Sequence, residues 1–270
     1  DVRPEDWLIG LDNWPDAVAV MPVALYGNVV KSYAYAKAKD IGAKVITDAC
    51  ESGFIGGVAG GDITCFSTYA CHLINTGVGG LATTNDPVLA GLMRSLANHG
   101  RDGIYYSIDQ ELGNLEVMSA RFKFDRPGYS YRATEMEAAI GCAELETWQD
   151  NITARQRNVR WLRRSLADLP LKFPMVPSIE CGWMFLPMAC ESQDVRDRLI
   201  SFLESRGIET RMFLPLTNQP YMKDLGFVED RYPVAKELNR RAFYVGSHQY
   251  LTTEDVTYMD AVFHEFFARS

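Results

Sequence analysis

The amino-acid sequence predicts an α/β protein, with a large domain around a mixed, mostly parallel sheet followed by a smaller C-terminal α+β domain. Between Ala17 and Asp48 an apolar run, a helical stripe and a second apolar run follow one another within about thirty residues, the span of one strand–helix–strand unit. After about Asp168 the texture changes to short strand-like segments alternating with helical ones. The division is placed at 150/151, giving units of residues 1–150 and 151–270.

Residues 1–16 read as a strand end and an acidic turn. Ala17–Leu25 is unbroken and apolar, which suits a strand covered on both faces, and Tyr26-Gly27-Asn28 closes it. Ser32–Ile41 carries helical spacing and is stopped by Gly42. Lys44–Thr47 is a strand pattern that delivers Asp48 at its end. A loop with Gly53, Gly56, Gly57, Gly60 and Gly61 follows, then a second short strand, Ile63–Tyr69, then His72 and Gly77-Val78-Gly79-Gly80. An acid at a strand end, hydroxyls on the next strand and close-approach glycines suit a small-molecule pocket. They suit two core strands and a flexible loop equally well, and pattern alone leaves both readings open.

Pro87–Asn98 reads as a helix capped by Asp86, with Pro87 at its first position and His99 at its far end. Arg101–Asp125 is polar and mixed, a loop or lid. Thr134–Trp161 is strongly helical, with a break expected at Asp150-Asn151. Beyond it, Phe173, Trp183–Phe185 and Glu209–Arg211 read as strands, and Val195–Ser205 and Tyr232–Arg241 as helices.

With 270 residues, 47% of them hydrophobic, the chain can bury a substantial core. A net charge of −8 argues against nucleic acid, whose phosphates need a basic face. Six cysteines show neither CxxC nor CxC spacing, so no zinc site or other metal site is expected. They read as reduced core residues, which suits a cytoplasmic protein. No apolar run reaches the roughly 18 residues of a membrane span, and no signal peptide opens the chain.

Several blocks carry a resemblance. ITDACES, GDITCFST, TGVGG and TTND stand in order between Ile46 and Asp86. RSLANHG follows from Arg94, GYSYRATE from Gly128 and PLTNQP from Pro215. Together they resemble the DegT/DnrJ/EryC1/StrS sugar aminotransferase family over nearly the whole chain. The resemblance implies a fold-type-I, pyridoxal 5'-phosphate-dependent enzyme acting on nucleotide sugars, with pyridoxal or pyridoxamine 5'-phosphate as cofactor. It implies a homodimer with shared sites and glutamate as amino donor. It also implies that roughly the first hundred residues of the fold are lacking here, with part of the phosphate cup and substrate pocket.

Residue by residue, the resemblance assigns Asp48 to the cofactor's ring nitrogen, Ser67 to its phosphate, and Glu51 to the place where aminotransferases carry glutamine. Ser130 stands where the family has an asparagine reaching a neighbouring subunit's phosphate. The family's cofactor-binding lysine belongs five residues after Ser67, where this chain has His72, and no lysine occurs between Lys44 and Lys123. Histidine at this place, with DACES and with His248-Gln249 in VGSHQ, resembles the 3-dehydratases of GDP-4-keto-6-deoxymannose, in which the last pair contacts substrate. The iron–sulfur branch of histidine-bearing dehydratases needs clustered cysteines after the histidine, and none lies between Cys71 and Cys142. Three readings stay open: a 3-dehydratase, a sugar aminotransferase with a substituted lysine, and a catalytically silent relative with a binding role. Thr217, Val78 and Ser130, which depart from the family pattern, keep the last one open.

Overall fold

The structure is a computed structural model that describes residues 1–10, 14, 16–55, 61–102, 113–120, 122–176, 181–213 and 216–269. Gly56, Gly57 and Gly60 of the glycine-rich loop, part of the expected lid at 101–125, and Pro215 lie outside the described residues.

The first sheet has the order β1 (Ala19–Val20), β2 (Lys44–Asp48), β3 (Ile63–Ser67) and β4 (Gly80–Thr83). The β1–β2 and β2–β3 pairs are parallel and β3–β4 is antiparallel. Helix α1 (Ser32–Asp40) makes the crossover between β1 and β2, burying Ala34 and Ala38. Its last turn carries Lys37 and Lys39, which suits the negative end of the helix dipole.

The strand expected over Ala17–Leu25 is shorter and barer than its composition suggests. Pro22 has no N–H to give, so the ladder lapses after Val20. It resumes in the same register, with Asp48 N donating to Pro22 O and Ala24 N to Asp48 O. This strand edges the sheet, and Val18 is 90% exposed, so it is not covered on both faces.

Helix α2 (Pro87–Ala97) is capped by Asp86, whose carboxylate accepts the Val88 and Leu89 N–H groups. His99 follows in the left-handed region at φ 62°, and Gly100 N returns to Ser95 O. Within the expected lid lies a short helix, α3 (Leu115–Ala120). Helix α4 (Glu135–Ser165) opens with a Thr134–Glu137 capping box and runs unbroken through Asp150-Asn151. Interior Asp and Asn each cost a helix only about 0.5–0.7 kcal/mol, less than the packing of Ile152, Val159 and Leu162 returns. The division expected at 150/151 therefore falls inside a continuous helix.

The second sheet is antiparallel, in the order β5 (Phe185–Ala189), β7 (Ala242–Gly246), β6 (Thr210–Met212). Lys172 makes only an isolated bridge to Ala189 where a strand at Phe173 is expected. Helix α5 (Gln193–Ser205) follows β5. Then α6 (Pro220–Asp224) and α7 (Pro233–Arg241) lead to β7, and α8 (Thr253–Arg269) closes the chain. Side chains alternate across this sheet. Leu186, Met188, Phe243 and Val245 are buried in one core with Leu199 and Leu203 of α5 and Phe263 of α8. Phe185, Tyr244 and Arg211 belong to the other face.

All six cysteines are free. Cys181 and Cys190 are buried, but Cys71 on a loop and Cys142 on α4 are exposed rather than core residues. Among the described residues no helix is long and apolar enough to cross a membrane, and no cluster of His, Cys, Asp or Glu is set to hold a metal.

Candidate active site

Parallel strands open ligand sites beyond their carboxyl ends. Asp48 ends β2 opposite Cys65 of β3, and Ser67 ends β3 two residues further on. One Asp48 oxygen accepts the Cys50 N–H at 3.1 Å. The loop that follows is clamped on three sides. Ala49 N donates to Cys65 O at 2.8 Å, Trp148 Nε1 of α4 donates to Gly53 O at 2.7 Å, and Phe54 stacks on Phe66 at 4.3 Å.

His72 stands at the tip of the β3–β4 connection. That connection is pinned by Thr68 N to Gly79 O, Ala70 N to Gly77 O and Thr76 N to Thr68 O, and a 2.6 Å hydrogen bond joins the Thr68 and Thr76 hydroxyls. A Cβ on Gly79 would lie 2.8 Å from the Thr68 hydroxyl, and its φ is 140°, so glycine suits this turn. The His72 N–H donates to Tyr69 O at 2.9 Å. Its Nδ1 is buried without a partner. Burial holds the imidazole below its usual range, while the Cys50 backbone and the Asp48 carboxylate pull it back up.

Glu51 is the most perturbed carboxyl of the group. Burial pushes it up to about 7; the Tyr26 N–H, which it accepts at 2.5 Å, pulls it down, and Asp48 pushes it up. Asp48, Glu51 and His72 thus share one electrostatic environment. Ser67 joins them at the strand end, its hydroxyl accepting the Tyr69 N–H at 3.1 Å. Ser130 stands elsewhere. It is exposed, bridges Asn98 beyond α2, and its hydroxyl accepts a hydrogen bond from Arg132 at 3.3 Å.

A cleft of about 730 Å³ lies between the loop at Cys71 and the second sheet, lined among others by Arg155, Arg211, Tyr244 and His248. His248 faces it, its imidazole held below the usual range by burial and then by Arg155. Gln249 turns to α4 instead, its Oε1 accepting Arg155 Nε at 3.0 Å. The Arg155 guanidinium also donates to the Trp183 and Met184 carbonyls, and burial pushes it down to about 10.

Sequence reasoning gave no role to Arg155 or Tyr244. Arg155 is a helical arginine whose burial only tertiary packing reveals. Tyr244 lies on β7, a strand with no turn residue to announce it, since α7 ends at Arg241 and β7 begins at Ala242.

Comparison with known proteins places these features in a family. A GDP-perosamine synthase of Caulobacter vibrioides is 31% identical over 254 residues, covering 90% of this chain and 64% of that protein. A dTDP-4-dehydro-2,6-dideoxy-D-glucose 3-dehydratase of Saccharopolyspora spinosa is 31% identical over 247 residues, covering 83% and 52%. The chain thus spans 52 to 64% of the length of these two curated relatives. Among solved structures, a DegT DnrJ EryC1 StrS aminotransferase from Brucella abortus superimposes with a TM-score of 0.81 at 25% identity, covering 98% of this chain and 72% of that one. The Escherichia coli GDP-4-keto-6-deoxy-D-mannose-3-dehydratase with bound hydrated PLP gives 0.78 at 23% identity, covering 97% and 72%, a likeness of fold. The family's sequence model matches residues 1–263, and the chain belongs to the DegT/DnrJ/EryC1/StrS aminotransferase family.

Proposed function

We propose that this protein is a pyridoxal/pyridoxamine phosphate-dependent enzyme of nucleotide-sugar metabolism, and that its reaction is the 3-dehydration of a nucleotide-linked 4-keto-6-deoxyhexose. The observation that carries this reading is the buried, unpartnered Nδ1 of His72 in the environment of Asp48. It is supported by the lack of any lysine between Lys44 and Lys123. A dehydratase among the relatives supports it too.

The residues present fit the cofactor. Asp48 supplies an anion at a strand end, Ser67 a short hydroxyl for a phosphate, and Glu51 a buried carboxyl beside them. When bound, the cofactor supplies an electron-withdrawing pyridinium ring and, in its pyridoxamine form, an amine for the sugar ketone. Asp48 would hold the proton at the ring nitrogen by charge pairing. His72, neutral at pH 7, accepts a proton at Nδ1 and returns it to the departing carbon-3 hydroxyl, which leaves as water. A lysine at this place would bind the cofactor covalently, whereas an imidazole only moves protons.

Glutamate as amino donor and a homodimer, in the cytoplasm, complete the proposal. Support for the dimer comes from an exposed apolar face around α2 and the start of α4, with Val88, Met136 and the stacked pair Tyr129 and Tyr131.

The second reading, a sugar aminotransferase, draws support from the family itself. Product analysis separates the two. The protein, given pyridoxamine phosphate and a panel of GDP-, dTDP- and UDP-linked 4-keto-6-deoxyhexoses, is expected to release a deoxygenated sugar. Amino sugar alone establishes the aminotransferase, and neither product with no cofactor bound establishes a silent relative.

A further inference from the structure

Tyr244 is placed by the strand register. It lies opposite Pro187 on β5 and opposite Arg211 on β6, so its side chain shares a face with Phe185 and Arg211, on the other side of the sheet from Phe243 and Val245. That face lines the 730 Å³ cleft, whose other wall includes Cys71, the residue before His72.

The ring is held from two sides. It stacks on Phe185 at 3.9 Å, and Phe213 meets it edge-on at 5.5 Å. The hydroxyl is not held. It has no hydrogen-bond partner among the described residues, although the residue is half-buried. Its neighbour across the strand does not serve it, because Arg211 donates to Glu209 and to Thr210 O. Neighbouring ionisable groups act on the phenol as well. Burial, then Glu51, then Cys71 push its acidity away from neutrality, against Arg211, so it stays a protonated donor at pH 7. A rigid ring facing the cleft that Cys71 also lines, with an O–H unpartnered among the described residues, is a donor prepared for a ligand oxygen.

We propose that Tyr244 is a specificity-determining residue of this site, its hydroxyl donating a hydrogen bond to an oxygen of the bound sugar. The inference rests on the nucleotide-sugar reading above. A ring kept only for packing needs no hydroxyl, and phenylalanine would fill the same stack.

The test is Tyr244→Phe, which keeps the ring and removes one oxygen. Calorimetric titration of parent and variant with GDP-4-keto-6-deoxymannose, and separately with GDP, gives the affinities. Absorbance titration gives that of pyridoxamine phosphate. The expected result is about three- to tenfold weaker binding of the sugar nucleotide, with binding of GDP and cofactor unchanged and a thermal midpoint within about 1 °C of the parent. Equal affinity for the sugar nucleotide in parent and variant overturns the role of Tyr244. An equal loss for GDP overturns it too, since the phenol would then meet the nucleotide. A parent that binds cofactor but none of the GDP-, dTDP- or UDP-linked 4-keto-6-deoxyhexoses overturns the nucleotide-sugar reading, which the first two outcomes leave standing, and this inference with it.

Discussion

The Glu51 carboxylate accepts the backbone N–H of Tyr26 at 2.5 Å, joining the loop after Asp48 to the turn that ends the first strand. That turn also carries the entry to the second sheet. Tyr26 O accepts the Met184 N–H at 3.1 Å, and Gly27 O accepts the Gly182 N–H at 3.0 Å. One buried carboxyl therefore sits where the candidate site and both sheets meet.

This position makes stability depend on pH in a defined direction. Glu51 has its proton affinity raised by folding, to about 7, so between its ordinary value and about 7 the folded protein binds more protons than the unfolded chain. Stability contributed by this group is fully present below the unfolded value and falls as pH rises through that window. The loss is on the order of 2 kcal/mol. Glu51→Gln keeps an acceptor for the Tyr26 N–H and does not titrate, so urea denaturation of the cofactor-free variant at pH 5 and pH 8 should show a smaller difference than the parent. An identical pH dependence in both proteins would place the titration elsewhere.

Gly27 should tolerate no side chain. Its φ is 91°, and a Cβ would lie 2.8 Å from Trp183 N, 2.9 Å from Glu51 O and 3.1 Å from Gly182 N, all backbone atoms that cannot rotate away. Gly27→Ala is expected to cost about 2–4 kcal/mol, read as a lowered denaturation midpoint. A loss below about 0.5 kcal/mol would mean that the turn, the site loop and the segment at 182 do not pack this closely.

Much of this architecture was legible in the residues. The βαβ unit, Asp48 at a strand end and the Asp86 cap each rest on local chemistry: an apolar period, a stop at Gly42, an acid before a proline. The α8 helix has a local signal as well, since Thr252 and Asp255 cap each other at its start. What escaped for a physical reason depends on tertiary contact. The exposure of Val18 depends on which strand edges the sheet, and the continuity of α4 through Asp150 depends on the packing of Ile152. The cleft face of β7 could not be read before the strand itself was found. Glu51 was legible as a candidate, but its link to Tyr26, twenty-five positions earlier, was not.

His264 offers a second pH effect, of opposite origin. Its ring lies 3.2 Å from an Asp260 carboxylate oxygen and 3.3 Å from Asp168, beyond the end of α4, and the Asp260 backbone followed by these charges raises its proton affinity. A raised histidine contributes stability that is fully present below its unfolded value and lost as pH rises through the folded value. The ring is partly exposed, so solvent screening keeps the gain below about 1 kcal/mol. His264→Gln should therefore lower the thermal midpoint at pH 6 and leave it unchanged at pH 9. A drop of equal size at both values would assign the residue to packing alone.

The sharpest prediction concerns His72. Its Nδ1 is buried and unpartnered, and its imidazole is held neutral by burial despite the nearby Asp48. In His72→Asn the side chain can still fill part of the space and accept a hydrogen bond, but it moves no proton at neutral pH. Cofactor and sugar nucleotide should still bind, while release of the carbon-3 hydroxyl slows by about 10²–10⁴-fold, as for loss of a general acid–base group. His72→Lys tests the same position from the other side. An amine there can join the cofactor covalently, so borohydride treatment should label a peptide containing position 72 in this variant and no peptide in the parent. If His72 were only a structural side chain, His72→Asn would turn over like the parent and His72→Lys would take no label. A labelled lysine elsewhere in the parent would show that the covalent residue lies outside this loop, and the dehydratase reading would fall with it.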